Sequence, residues 1–189
     1  MKAATSPRIW SDDELMRLHG DGLRHELWNG RIITMSPAGG GHGFILMRLG
    51  AALTNHVERH RLGAMFEGQT GFRLSVDFCF SPDLSFVSRR RLKLLMPDAD
   101  KLLHGAPDLA VEVLSPSDSI TKTEAKLQRL MAHGTRLAWL VDPRHFSVRV
   151  YREPDKFDLL RSGQFLTGNS VLPGFRYSVA RLFQDPLFE

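Results

Sequence analysis

The chain has 189 residues, 42% hydrophobic and 24% charged, a balance that suits a globular domain with a full core and excludes a disordered or fibrous chain. A formal net charge of +4 and a pI of about 9.6 are compatible with a polyanionic partner without requiring one. The single cysteine, Cys79, excludes an internal disulfide and a cysteine-based zinc site. No stretch is long and apolar enough to cross a membrane and the first residues lack an apolar signal core, so a cytoplasmic protein with no membrane partner is expected.

Ser11-Asp12-Asp13-Glu14 opens a short helix: Ser11 is a good N-cap, Glu14 follows three residues on, and the acids suit a helix start. Leu15 and Leu18 give it an apolar face, and Gly20 and Gly22 end it. Residues 25–35 read as a β-hairpin about Asn29-Gly30, because both turn positions tolerate positive φ. Alternation puts Glu26 and Trp28 on one face and His25 and Leu27 on the other. Residues 36–41 lead into a helix, and no Gly-Lys-Ser or Gly-Lys-Thr follows the glycines, so a plain hinge is expected there. From residue 42 to about 59, Ile45, Leu46, Leu49, Ala52, Leu53 and Val57 recur with helical spacing, and Arg48, Arg59 and His60 fall on a solvated face. Residues 64–67 and 72–76 are expected as strands around residues 68–71, with Phe72, Leu74 and Val76 pointing inward. The basic run Arg89-Arg90-Arg91 with Lys93 reads as a solvated loop or as a contact to a DNA backbone.

Two Pro-Asp steps feed short apolar runs: Pro82-Asp83 before Leu84-Ser85-Phe86-Val87, and Pro107-Asp108 before Leu109-Ala110-Val111-Glu112-Val113-Leu114. The second run is nearly continuous, the pattern of a strand buried on both faces, and Glu112 interrupts it. A carboxylate there is costly unless a cation, a metal or hydrogen-bond donors meet it. With Asp83 as a second acid, the pair reads either as a divalent-metal site or as a solvated strand end or a buried ion pair. A helix over about residues 119–133 carries Leu127, Leu130 and Met131 on its apolar face and stops at Gly134. Residues 137–143 make the next strand, so the strand–helix–strand unit implies a parallel pair with a right-handed crossover. Residues 148–152 pair antiparallel after a turn, residues 157–160 and 164–166 add outer strands, and residues 178–183 close with a short helix. The order is that of an α/β or α+β chain, a single domain over residues 1–189.

These segments carry a resemblance. His25-Glu26-Leu27 with Gly30, Met35-Ser36-Pro37, His42, Pro82-Asp83-Leu84-Ser85-Phe86-Val87, residues 106–117, Lys126-Leu127, Gly134, Trp139-Leu140-Val141-Asp142-Pro143 and Val148-Arg149-Val150-Tyr151 stand in the order found in the Uma2 family, long called domain of unknown function 820 and described as restriction endonucleases. The resemblance spans roughly residues 11–183. It implies the PD-(D/E)XK fold, a central mixed sheet flanked by helices with an N-terminal hairpin, and a Mg²⁺-dependent DNA endonuclease, with Mn²⁺ as a substitute ion. By position it implies Asp83 and Glu112 as metal-binding acids and Glu26 as an additional acid. The usual lysine two residues after the second acid is absent, since Leu114 stands there, and Lys126 on the next helix looks like its replacement. Lys122, one turn earlier, is the second choice. Asp108 reads as a strand-start residue, and His42 as a residue that caps or packs near its helix start. The competing reading is a non-catalytic nucleic-acid-binding or partner-binding protein on a nuclease scaffold. A homodimer is expected, with apolar Phe183, Leu187 and Phe188 as one candidate contact.

Overall fold

In the computed structural model, which describes residues 8–18 and 23–184, helix α1 (Asp12–Leu18) comes first. Its first turn is closed reciprocally, the Ser11 N–H donating to Glu14 at 2.9 Å and the Glu14 N–H to Ser11 Oγ at 3.3 Å. Gly20 and Gly22 lie outside the described residues. Strands β1 (Arg24–Trp28) and β2 (Arg31–Met35) form the hairpin, with Asn29 and Gly30 at φ of 49° and 72° as a two-residue turn of this twist requires. Helix α2 (Gly40–Arg59) buries Ile45, Leu49, Leu53 and Val57, the stripe that its spacing predicts. Arg48 is engaged rather than merely solvated: it donates to the carbonyls of Arg181 and Gln184 at 2.6 and 2.5 Å.

Strand β3 (Gly63–Glu67) and strand β4 (Phe72–Ser75) follow, and then β5 (Phe78–Phe80), which the sequence patterning does not separate from its surroundings. β3 and β4 do not share a sheet. β4 ends at Ser75 and the chain turns back into β5, which leaves Val76 58% exposed rather than inward. Strand β6 (Leu84–Ser88) runs directly into helix α3 (Arg89–Leu95), so the basic run is helical, not a loop. After the two-residue β7 (Leu103–His104) come β8 (Leu109–Val113), helix α4 (Ile120–Ala132) and β9 (Leu137–Asp142). Ser119 caps α4, its side chain accepting from the Lys122 N–H, and Gly134 ends it at φ 112°. β10 (Ser147–Glu153), β11 (Lys156–Leu160), β12 (Phe165–Gly168), β13 (Leu172–Ser178) and helix α5 (Val179–Phe183) complete the described chain. β13 carries Pro173 and Gly174, residues that hide a strand from pattern reading.

The main sheet has six strands in the order β11-β10-β9-β8-β6-β3. β8 and β9 are its parallel pair, as the crossover requires, and the other neighbours are antiparallel. A second, five-stranded sheet runs β2-β1-β5-β4-β7 and contains the hairpin, with Leu27 opposite Cys79. β12 and β13 form a separate ribbon. The expectation of a mixed sheet flanked by helices therefore holds for the main sheet, with the hairpin assigned to its neighbour.

Strand alternation divides the core between the two faces of the main sheet. Leu109, Val111, Val113, Trp139 and Val141 meet α2, the ribbon and α5, where Trp139 stacks on Phe175 at 5.9 Å. Ala110, Leu114, Ala138 and Leu140 meet Leu127 and Leu130 of α4 together with Phe78 and Phe80 of the second sheet. Each fully buried leucine here is worth roughly 1.5–3 kcal/mol of transfer free energy. Cys79 is buried, and that burial pushes its thiol up to about 12, which makes it inert. Phe183 packs edge-on against Phe146 at 5.8 Å, while Leu187 and Phe188 lie outside the described residues. No described helix is long and apolar enough to cross a membrane.

Candidate active site

Residues 80–84 carry the chain from the second sheet into the main one, and the charged groups of the molecule's most polar interior gather around this step. The antiparallel register pairs Leu84 with Val111, so Asp83 arrives beside Glu112. The Val113 N–H donates to Asp83 Oδ2 at 2.8 Å and fixes the carboxylate against β8. Glu112 projects from the same face of β8 as Ala110, toward α4. There Lys126, buried one turn before Leu130, extends Nζ to within 2.6 Å of Glu112 Oε1 and 2.6 Å of Glu26 Oε1. Nζ also donates to the Ser81 carbonyl at 3.3 Å, and the Ser81 N–H donates to Glu26 Oε1 at 3.0 Å. The Ser81-Pro82-Asp83 step thus ties the hairpin acid, the helix lysine and both strand acids into one cluster.

All four residues singled out in the sequence, Glu26, Asp83, Glu112 and Lys126, meet here and are buried. Lys122 is exposed on the outer side of α4. Asp108 stands apart at the opposite end of β8, fully buried among Ser88 N–H, Arg91 and Arg136. The basic run begins at that same far end of β6, and Arg91 is committed to Asp108 and to the Ala106 carbonyl.

Two further residues join the cluster. Arg24 Nη1 donates to Asp83 Oδ1 at 2.6 Å, and its Nη2 stands 3.6 Å from Glu26 Oε1. Its place on the same face of β1 as Glu26, two residues away, is the signal that identifies it. His42, in the first turn of α2 rather than before it, sets Nε2 3.2 Å from Asp83 Oδ2. Packing near the helix start is what the sequence suggests for it; its partner, 41 residues on, is not readable from local pattern. Around His42 the helix start is open, for a side chain added at Gly39, Gly40, Gly41 or Gly43 would meet nothing.

Glu26, Asp83 and Glu112 face two permanent cations, Arg24 and Lys126, and His42, whose charge depends on pH; three ionised acids leave one negative charge in excess only when His42 is neutral. The strain falls on Glu112. Burial and the neighbouring Asp83 and Glu26 push its carboxyl up to about 7, against the pull of Lys126 and Arg24. Asp83 goes the other way: burial opposes its charge, but His42, Arg24, Lys126 and the Val113 N–H together hold it well below the usual carboxylate range. Burial also opposes the charge on Lys126, yet Glu112 and Glu26 keep its pKa raised, so the ammonium stays charged. The bond to Asp83 raises His42 above an ordinary histidine. Glu112 Oε1 meets the Lys126 ammonium at 2.6 Å as an ion pair, and among the described residues no donor is aligned on it as a hydrogen bond.

A family model described as "Putative restriction endonuclease", Uma2, matches residues 12–180. The chain belongs to the Uma2 family. A solved structure from Anabaena variabilis, described as "a putative nuclease belonging to DUF820", superposes with a TM-score of 0.79 at 24% identity, covering 92% of this chain and 97% of that one, and shares its fold. Among curated proteins nothing matches.

The Uma2 nuclease-like fold raises the question whether these residues suit a divalent ion. Three carboxylates supply the hard oxygen donors that Mg²⁺ and Mn²⁺ prefer. The Glu112 carboxyl, pushed up by burial and by Asp83 and Glu26, is what a further cation would relieve. Among the described residues no three ligating side chains converge as a finished cage, since Lys126 and Arg24 stand between the acids. In donor type and charge the site fits the ion.

Proposed function

We propose that this Uma2 chain is a Mg²⁺-dependent DNA endonuclease acting through Asp83, Glu112, Glu26 and Lys126, with Mn²⁺ as a substitute ion. The observation that carries this reading is the gathering of three buried carboxylates around one buried, charged lysine, with Glu26 and Glu112 each 2.6 Å from its Nζ.

Phosphodiester hydrolysis adds the oxygen of water to phosphorus and breaks one P–O ester bond, giving a phosphate monoester and an alcohol. Asp83 and Glu112 would hold the divalent ion, whose chemistry is neutralisation of phosphate charge and activation of a water. Lys126, aimed by Glu26 and Glu112, offers Nζ–H donors to the attacking water and to the oxygen that gains charge in the pentacovalent state. Glu26 holds that lysine and, through the Ser81 N–H, the strand entry that carries Asp83. A homodimer would let two such centres cut the two strands of a duplex; light scattering at micromolar protein reads that state directly.

The test is Mg²⁺ titration by calorimetry on wild type, Asp83→Asn and Glu112→Gln, with the same samples incubated with supercoiled plasmid. Binding and nicking in the wild type, both lost in the variants, are expected. Binding without cleavage of DNA would overturn the substrate assignment.

A further inference from the structure

Arg24 is held in the site differently from the other buried-site cation. Lys126 has two carboxylates at 2.6 Å and a carbonyl at 3.3 Å. Among the described residues the Arg24 guanidinium has one hydrogen bond, to Asp83 Oδ1, a looser ion-pair contact to Glu26, and a buried Nε with no partner. An arginine placed to brace a carboxylate normally uses its planar fork. Arg136 brings two nitrogens to Asp108, Nε and Nη2 both 3.0 Å from Oδ1. The Arg24 guanidinium is therefore held by charge far more than by hydrogen-bond shape, and the charge comes from the three acids of the site. Burial works against it, and Glu112, Asp83 and Glu26 outweigh that burial.

Two features leave it room to stand there and to leave. Gly68, in the turn after β3, lies against the guanidinium: a Cβ there would come within 3.2 Å of Arg24 Nη1 and 3.5 Å of the Asp83 Cα. The Arg24 side chain keeps 18% of its surface exposed, so it faces an opening to solvent rather than closed core.

We propose that Arg24 is a built-in counter-ion to Asp83 and Glu26 that a divalent ion must displace from Asp83 Oδ1 in order to bind. The inference rests on the metal-site reading above and adds the group that competes with the ion for Asp83 Oδ1. Arg24 is then a positioning residue that sets metal affinity, and Gly68 is the small residue that lets it do so.

The experiment is a calorimetric titration with Mn²⁺ alone into the full chain, comparing wild type, Arg24→Gln, Gly68→Ala and Glu112→Gln, with a melting curve of each metal-free protein. Arg24→Gln keeps a hydrogen-bond donor for Asp83 but loses the charge. It is expected to bind Mn²⁺ about tenfold more tightly than wild type while melting at a lower temperature without metal. A merely structural arginine would lower both, so the opposite movement of the two readouts identifies the role. Gly68→Ala keeps every charge and crowds the guanidinium, and it is expected to tighten Mn²⁺ binding by a smaller factor. Equal or weaker binding by Arg24→Gln, with wild-type binding intact and Glu112→Gln deficient, overturns the proposal and leaves the metal site standing. Absence of Mn²⁺ binding in the wild type overturns both. Should Arg24→Gln fail to fold, Gly68→Ala decides: unchanged or weaker binding overturns the proposal.

Discussion

Strand β8 has a buried acid network at each end, and the two are built to opposite specifications. At its start, Asp108 is one carboxylate met by two arginines and the Ser88 N–H. At its other end, Glu112 belongs to three carboxylates met by two permanent cations. The first network has more donors than it needs, and its carboxyl is held below the usual range despite burial, mainly by Ser88 and Arg91. The second crowds three acids together, and its Glu112 carboxyl is pushed up to about 7. Two ends of one five-residue strand thus separate an ion cluster that joins elements from one that is poised to accept a ligand. Burial alone does not distinguish them; charge balance does.

The sharpest way to break this comparison is to remove Lys126. Lys126→Met leaves Glu26 and Glu112 without their shared cation and is expected to destabilise the metal-free protein by about 3–5 kcal/mol near pH 8, read by urea denaturation. The loss should shrink near pH 5, where Glu112 takes up a proton. In samples that remain folded, nicking should fall by roughly 10²- to 10³-fold.

Next in size is the pH dependence set by Glu112. Its folded-state pKa of about 7 lies above the ordinary value of 4.5, so its contribution to stability is full below that ordinary value. It is lost as pH rises through about 7, a cost of about 3 kcal/mol in the metal-free protein. Glu112→Gln removes that slope and is expected to be the more stable protein at pH 8, with little difference at pH 4.5. Asp83 has the opposite sign: its pKa is depressed, so its contribution is present above the ordinary carboxylate range and lost as pH falls through and below it. Denaturation midpoints from pH 3 to pH 9 check both directions.

Asp108→Asn probes the cation-rich end. It should cost roughly 2–3 kcal/mol, because Arg91 and Arg136 are partly exposed and regain water. Mn²⁺ affinity of the folded variant should stay within about twofold of wild type, because the sites share no partner. A large loss of metal binding would show the two networks to be coupled. The smallest effect is expected at exposed Lys122, where Lys122→Ala should change stability by less than about 0.5 kcal/mol and leave nicking near the wild-type rate.

Much of the scaffold was legible because local chemistry and tertiary role agree. The Asn29-Gly30 turn, the α2 stripe, the Ser119 cap and the β8–α4–β9 crossover each follow from a short segment. The division into two sheets was not legible, since it rests on the three-residue β5 and the two-residue β7, too short to carry a period. β3 and β4 go to different sheets for the same reason. Within the site, the acids and Lys126 stand out by type and by resemblance to Uma2 segments. Arg24 and His42 do not, because what makes them special is contact with Asp83 from 59 and 41 residues away. Charge imbalance is likewise a property of the assembled cluster and appears only once the partners are together.

The central claim is that the acid-rich end of β8 is a divalent-metal nuclease centre. It is tested most directly by Mn²⁺ titration of wild type and Glu112→Gln at pH 8, with plasmid nicking read on the same samples. Saturable binding with nicking in the wild type, and loss of both in Glu112→Gln, is the predicted result. No Mn²⁺ binding by the wild type, even with DNA present, would contradict the account and leave the cluster a structural ion network.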